Sequence, residues 1–130
     1  MNAETYVGYE RLQYLLSSRG VSRNAPAVYH FPGSLPLGAM GLSGTWTVHA
    51  QEATAGPAAK LELEFHAQEI YLVLGGTGRL GLTIDGRPAE TIDVHGVPRL
   101  YTLYHSGSAR SGTLVLHASP GVQAYDFTFG

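Results

Sequence analysis

Tyrosine offers the clearest possible chemistry in this sequence. A tyrosine ring can stack on the apolar face of a sugar ring while polar side chains beside it hold the hydroxyl groups. The segments IYLVL and RLYTLYHS carry the residues of both kinds, and the candidate carbohydrate-binding residues are Tyr71, Arg99, Tyr101, Tyr104 and His105. The alternative is that these tyrosines are packing residues of a sheet with a hydrated hydroxyl group.

Three histidines raise the question of a metal site. His49, His66 and His117 occupy similar places late in their segments (VHA, FHA and LHA), each on the polar side of the local alternation. Neighbouring strands could bring them together, and metal-assisted hydrolysis is the function that such a site would support. No HxH or HExxH spacing is present, however, and scattered strand histidines are typical of surfaces. The sequence therefore predicts neither a metal nor a cofactor. The alternative is a metal site formed by these three histidines.

Hydrolytic catalysis needs two carboxylates in a cleft, or a nucleophile with its base. Glu62 and Glu64 share one side of a strand, where acidic residues are ordinarily solvated, and no GxSxG motif is present. Cysteine is absent from the chain, which removes thiol catalysis and any redox step within it. The sequence therefore predicts a protein that is not an enzyme.

A glycine cluster matches the dinucleotide-binding pattern GxGxxG at positions 76–81 (GTGRLG). That motif binds pyrophosphate only where its last glycine begins a helix. Here Leu80, Leu82 and Ile84 continue with the two-residue spacing of a strand and lead into the Asp85-Gly86 turn. We therefore interpret the cluster as the turn of a hairpin.

Composition narrows the remaining classes. The chain has 130 residues, 44% hydrophobic content and a net charge of −2, so one domain with a real core is expected and nucleic-acid binding is not. The first residues lack the pattern of a signal peptide, and no apolar run is long enough to span a membrane.

The candidate residues must be positioned by strands. From Leu42 onward, apolar and polar residues alternate with a period of two, which is typical of half-buried strands. The predicted strands are LSGTWTVHA, KLELEFHA, IYLVL, RLGLTID, ETIDVHG, RLYTLYHS, TLVLHAS and VQAYDFTF. About eight short strands separated by Gly, Pro and Asp turns predict an all-β fold, a jelly-roll-like antiparallel β-sandwich.

The chain divides into two parts by this pattern. Residues 1–41 are rich in Pro, Gly and Ser after a short leucine segment, and they predict an irregular N-terminal arm packed on the domain. Residues 42–130 form the predicted sandwich. In its last strand, Tyr125, Phe127 and Phe129 share one side, so we expect a strand paired on both sides with all three rings buried.

Several segments together carry a family resemblance. They are ETYVGYER, LPLGAMGLSGTWTV, IYLVLGG, LTIDGRP, PRLYTLYH and SPGVQAYDFTFG. In this order they resemble the C-terminal domain of DipZ-type thiol-disulfide interchange proteins. In that family a membrane-embedded region and a thioredoxin-like domain precede a jelly-roll, galactose-binding-like domain similar to carbohydrate-binding modules.

The resemblance implies an extracytoplasmic accessory domain, in the periplasm or cell envelope, with ETYVGYER as the link from a thioredoxin-like unit. Its partners would be a polysaccharide or cell-wall glycan and a thioredoxin-like domain in the same or a neighbouring chain. The alternative is a protein interaction module without a small ligand, with an apolar patch near Tyr6, Tyr9 and Tyr14.

Overall fold

The computed structural model describes residues 4–8, 15–16 and 21–130, and the regular structure within them is β-strand. The strands are β1 (Glu4–Tyr6), β2 (Leu15–Leu16), β3 (Ala27–Tyr29), β4 (Met40–Val48), β5 (Ala53–Ala55), β6 (Ala59–Gly75), β7 (Gly78–Ile84), β8 (Arg87–Val94), β9 (Arg99–Ala118) and β10 (Gln123–Phe129). The described residues contain no helix long and apolar enough to cross a bilayer.

The strands pair in the order β1-β10-β5-β4-β6-β9-β7-β8, and β2 and β3 also pair with β4. Pairing along this path is antiparallel, whereas β2 runs parallel to β4. A further pairing joins β10 to β6, so the sheet folds over on itself into two layers. The predicted all-β, jelly-roll-like sandwich is confirmed.

Two long strands connect the layers. The first half of β6 pairs with β4 and its second half pairs with β10, while β9 accompanies it along both halves. Register shifts between Ala67 and Glu69 and between Ile70 and Tyr71 interrupt the β6–β9 ladder. The sequence pattern divided each long strand into two shorter ones, which is wrong, because a bulge bends a strand without ending it.

Burial follows the predicted alternation. In β4, Leu42, Trp46 and Val48 are buried. In β6 the buried side chains are Ala59, Leu61, Leu63, Phe65 and Ala67 before the first register shift, and Ile70, Leu72 and Leu74 after it. The inward phase changes from odd to even numbers because the bulge inserts one residue.

Part of the N-terminal segment belongs to this sheet. The β1 strand pairs with β10, from Glu4 opposite Thr128 to Tyr6 opposite Asp126. Val7 and Tyr29 are buried in the core, and β4 begins at Met40 with three consecutive buried residues. The division of the chain at residue 41 into arm and domain stays a prediction.

The glycine cluster forms a turn, but not a hairpin. Gly76 has a φ of 78°, and a Cβ there would lie 2.2 Å from the carbonyl oxygen of Gly121. The turn joins β6 to β7, yet β7 pairs with β8 and β9 rather than with β6. The hairpin prediction was wrong because spacing along the chain shows a reversal without showing which strands pair.

The last strand is paired on both sides, as expected, with β6 on one and β1 and β5 on the other. Phe127 is fully buried and lies 6.1 Å, centroid to centroid, from Phe129, which is partly buried. A register shift between Ala124 and Phe127 removes Tyr125 from this phase, and it is half-buried. Of the three rings predicted to be buried on one face, Phe127 is buried and Phe129 is partly buried, and the prediction is wrong for Tyr125.

Candidate functional site

A groove opens between the β7–β8 hairpin and β9. Its volume is about 490 Å³, and its lining consists of Ile84, Asp85, Arg87, Pro88, Ala89, Tyr104 and Arg110. Within the described residues, β8 pairs only with β7, and β9 pairs with β7 only from Leu114 onward. The groove therefore lies between the free edge of the β7–β8 hairpin and the part of β9 before Leu114, where no strand of the described residues bridges them.

The Asp85-Gly86 turn places the hairpin end beside β9. Both residues have positive φ, 52° and 80°, as a two-residue type I′ hairpin turn requires. The Asp85 carboxylate accepts hydrogen bonds from Arg110 Nη2 at 2.7 Å and from the Thr113 backbone N–H at 2.9 Å. These bonds link the hairpin to two residues of β9, 25 and 28 positions further along the chain, and they hold Arg110 against the groove.

Tyr104 contributes the aromatic surface of the groove. It lies opposite Ile70 in the β6–β9 ladder and is half-buried. Its ring centroid is 5.4 Å from that of Phe65, at an interplanar angle of 51°. Since Phe65 is 1% exposed, the Tyr104 ring rests on the fixed core and not on a mobile loop.

Tyr101 and Arg99 form a second arrangement further toward the start of β9. Arg99 Nε donates to Tyr101 Oη at 3.0 Å, and the guanidinium carbon is 4.9 Å from the centre of the ring. Tyr101 lies opposite Leu72, whose side chain is buried. Both residues thus share the inward-facing side of the strand with Tyr104, although neither lines the groove.

Tyr71 and His105 lie on the other side of the sheet. Glu69 is opposite His105 in the ladder, and its carboxylate accepts from Tyr71 Oη at 2.8 Å and from His105 Nδ1 at 3.0 Å. The Tyr71 hydrogen bond is the largest cause that lowers the pKa of Glu69, and the His105 hydrogen bond is the next. The hydrogen bond between Tyr71 and Glu69 also raises the pKa of Tyr71. The five candidate residues are therefore split between two faces, and their binding of sugar stays a prediction.

Sequence reasoning did not select Asp85, Arg87, Arg110 or Glu69 for a site. The turn LTIDGRP was a usable signal, since it placed Asp85 and Arg87 at one hairpin end. No such signal marked Arg110, because it lies in SGSARSG between two predicted strands, a composition that indicates a loop. Its place in the groove follows from the continuity of β9.

The three histidines are not brought together. His49 Nδ1 is 3.1 Å from Asn24 Oδ1, and His66 Nδ1 is 2.8 Å from Ser111 Oγ. His117 lies opposite Lys60, and burial, followed by the Lys60 charge, lowers its pKa. Across the described part of the chain, no cluster of three or more His, Cys, Asp or Glu residues could hold a metal ion.

The paired carboxylates lie outside the groove. Glu64 accepts a hydrogen bond from Thr113 Oγ1 at 2.6 Å, and the pKa of Glu62 is raised by burial and then by the Glu64 charge. Neither residue contributes to the groove lining. The groove itself offers groups that could contact a ligand. They are an aromatic surface, two arginines and an aspartate that is hydrogen-bonded to one of these arginines.

Comparison with known families and curated proteins identifies the relatives of this chain. A family model described as "Thioredoxin like C-terminal domain" matches residues 2–130. The proteins named DipZ of Mycobacterium bovis and Mycobacterium tuberculosis are each 34% identical over 131 aligned positions, which cover 100% of the chain. The chain spans 19% of the length of these relatives. The DipZ-type resemblance is therefore confirmed.

Solved structures support the fold. A family two carbohydrate esterase from Cellvibrio japonicus superposes with a TM-score of 0.66 at 11% identity, covering 99% of this chain and 34% of that one. A family two carbohydrate esterase from Clostridium thermocellum in complex with cellohexaose has a TM-score of 0.54 at 22% identity, covering 61% of this chain and 26% of that one. At these identities the likeness concerns the arrangement of the strands alone.

Proposed function

The chain belongs to the family of thioredoxin-like C-terminal domains, and we propose that it is a non-catalytic carbohydrate-binding domain that positions a thioredoxin-like redox unit beside a glycan of the cell envelope. Its place as an accessory domain of DipZ-like proteins comes from the family and the curated relatives. Glycan binding, an extracytoplasmic location and the positioning role are the proposed parts.

The groove beside Tyr104 is the observation that carries the proposal. Its volume of about 490 Å³ is in the range of small-molecule sites. A ring held against the core can stack on a pyranose with little loss of conformational freedom. Arg110 and Asp85, held by their mutual hydrogen bond, present a donor and an acceptor suited to adjacent sugar hydroxyl groups.

Among the residues that the structure describes, the groove lining holds neither set of groups that breaks a glycosidic or ester bond. Asp85 is the one carboxylate among these lining residues, whereas glycoside hydrolysis ordinarily uses two. None of these lining residues is a histidine or a serine, so they do not supply the pair needed for nucleophilic acyl transfer. The proposed role is therefore binding, and redox chemistry would belong to a separate thioredoxin-like unit because this chain has no cysteine.

The solved esterase structures add one supporting observation. The proteins that share this strand arrangement are carbohydrate esterases, and one of them is in complex with cellohexaose. That association belongs to those proteins, and the case for sugar binding here rests on the groove.

A Tyr104→Leu variant tests the groove as the glycan site. Leucine keeps apolar contact with Phe65 and removes the aromatic surface, so affinity for any bound glycan is expected to fall about tenfold, close to the 1.4 kcal/mol that one stacked ring supplies. Binding is measured by calorimetric titration against cell-wall and plant polysaccharides, after a melting curve shows that the variant is folded.

The matched control is Tyr125→Leu, which alters a half-buried tyrosine of β10 that does not line the groove. It should leave glycan affinity unchanged. Equal losses in both variants would place the site elsewhere, and no binding by the unaltered domain to any polysaccharide would remove the proposed function.

A second candidate function is docking of a partner protein. Val97 and Leu100 are 79% and 56% exposed. Val97 precedes β9 by two residues, and Leu100 is the second residue of that strand. Contiguous exposed apolar patches are typical of contact surfaces, and these two residues lie three positions apart in the chain. The expected patch residues Tyr9 and Tyr14 lie outside the described residues, as does the side chain of Tyr6. Loss of association with a thioredoxin-like domain in a Leu100→Ser variant, with glycan affinity intact, would favour this candidate.

A further inference from the structure

We infer that the groove selects acidic sugars, specifically hexuronic acids, whose carboxylate is bound by Arg87; this inference rests on the proposed function of the same groove. Three charged residues line it, Asp85, Arg87 and Arg110. They leave one positive charge in excess, on a chain whose net charge is −2. The excess is therefore a local property of the groove and opposite in sign to the charge of the whole chain.

The Asp85 charge is already neutralised within the protein. One carboxylate oxygen accepts from the guanidinium of Arg110 and the other accepts from the Thr113 backbone N–H. Asp85 and Arg110 thus form a closed pair, with side chains 44% and 50% exposed. A pair of this kind can bind neutral hydroxyl groups, but it has little remaining charge for an anion.

Arg87 is the cation that remains. It lies opposite Ile84 across the β7–β8 hairpin, so both residues line the groove from the same side. Arg87 is exposed and forms no ion pair with any acidic residue that the structure describes. The next acidic residue on β8, Glu90, is not part of the groove lining.

The chemistry of these groups specifies the ligand class. A guanidinium group is a planar fork of N–H donors that matches the two oxygens of a carboxylate. Tyr104 provides an aromatic surface for the apolar face of the pyranose in the same groove. A sugar that satisfies both features carries its carboxylate on the ring itself, as galacturonic and glucuronic acids do.

The test compares acidic and neutral forms of the same probes. Oligogalacturonate and oligoglucuronate are titrated into the domain beside the corresponding oligosaccharides whose carboxylates have been reduced to alcohols. At least one acidic probe is expected to bind at least tenfold more tightly than its reduced form. The preference should decline as salt rises from low to physiological concentration, because the carboxylate–guanidinium attraction is screened.

Two substitutions locate the preference. Arg87→Gln should remove most of the tenfold preference for the acidic probe, and Arg87→Lys should restore only part of it, because lysine keeps the charge without the two-donor fork. Arg79→Gln is the matched control, since Arg79 lies on the same hairpin and pairs with Asp93 at 3.3 Å, away from the groove lining. A melting curve confirms that each variant is folded.

The outcomes separate this inference from the proposed function. Equal affinity for acidic and reduced probes, or an equal loss in Arg87→Gln and Arg79→Gln, would overturn acidic selection and leave glycan binding intact. Failure of the domain to bind any acidic or reduced probe would overturn acidic selection, and failure on the wider polysaccharide panel as well would overturn both.

Discussion

Glu69 accepts hydrogen bonds from two side chains that lie on different strands. Tyr71 belongs to β6 with Glu69 itself, while His105 belongs to β9 and reaches the same carboxylate oxygen. A carboxylate can only accept, so His105 Nδ1 carries the proton in this contact. Both bonds favour the ionised carboxylate, which explains why the pKa of Glu69 is below its ordinary value of 4.5.

Replacing Tyr71 with Phe should raise the pKa of Glu69 toward that ordinary value. The Tyr71 bond is the largest cause of the lowered pKa, and the His105 bond remains in the variant, so the return is partial. The measurement is an NMR titration of the Glu69 side-chain carboxyl carbon. Tyr101→Phe is the control, since the Tyr101 hydroxyl contacts Arg99 instead. An unchanged Glu69 titration in Tyr71→Phe would contradict the assignment.

The sign of the effect on stability follows from the same shift. A carboxyl whose pKa is lower in the folded state stabilises the fold above its unfolded pKa. That contribution is lost as the pH falls through the folded pKa. The Tyr71→Phe variant should therefore lose less stability than the unaltered domain when the pH is lowered below 4.5.

Turns decide how the strands are arranged into layers. The Asp85-Gly86 turn closes a hairpin between paired strands, whereas the turn at Gly76 joins strands that do not pair. Gly86 and Gly76 have nearly equal φ, 80° and 78°. They differ in their surroundings: a Cβ at Gly86 would meet open space, and one at Gly76 would meet the carbonyl oxygen of Gly121.

Alanine substitutions at these two glycines separate backbone strain from steric conflict. Gly86→Ala should cost about 1–2 kcal/mol of unfolding free energy, the price of a left-handed conformation for an L-residue. Gly76→Ala should cost a further 1–3 kcal/mol or so, because the backbone near Gly121 must move. Urea unfolding measures both. Equal losses would show that the contact with Gly121 contributes nothing.

The last strand, β10, pairs with β6 on one side and with β1 and β5 on the other. Removing residues 125–130 deletes the ladder of β10 with β1 and most of its ladder with β6. It also removes Phe127, which is fully buried. Loss of one such ring costs about 3–5 kcal/mol, against a typical total stability of about 5–15 kcal/mol.

The truncated chain is therefore expected to show no cooperative melting transition. Differential scanning calorimetry measures this, with full-length Thr128→Ala as a folded control that alters a half-buried residue of the same strand. A truncated protein that melts cooperatively at the original temperature would show that β10 is dispensable.

The residues that the structure describes share one connected core because β6 and β9 pass through both layers. Neither layer can separate without breaking these two strands. Trp46, the one tryptophan of the chain, lies in β4 and is 1% exposed. Its indole N–H lies 3.0 Å from the Ser43 carbonyl oxygen and 3.2 Å from that of Lys60 in β6.

Unfolding should therefore be a single transition. Trp46 fluorescence, which reports on β4 and β6, and far-ultraviolet circular dichroism, which reports on all strands, are expected to give the same midpoint in urea. Calorimetric and van't Hoff enthalpies should also agree. Two separated midpoints would indicate that the layers unfold independently.

Alternation of apolar and polar residues was enough to predict the fold class, the inward residues of β4 and of the first half of β6, and the Asp85-Gly86 turn. These features depend on the pleat and on local backbone conformation, which neighbouring residues determine. The family resemblance also came from residues adjacent in the chain, and the comparisons confirmed it.

Tertiary structure alone decided the continuity of β6 and β9, the unpaired edges beside the groove and the division of the five candidate residues between two faces. A bulge reverses the facing of every later residue, and its position depends on how partner strands pack, not on the local pattern. The groove likewise depends on a contact between Asp85 and Arg110, which are 25 residues apart. No spacing rule along one strand could have predicted that contact, because it exists only once β7, β8 and β9 lie side by side.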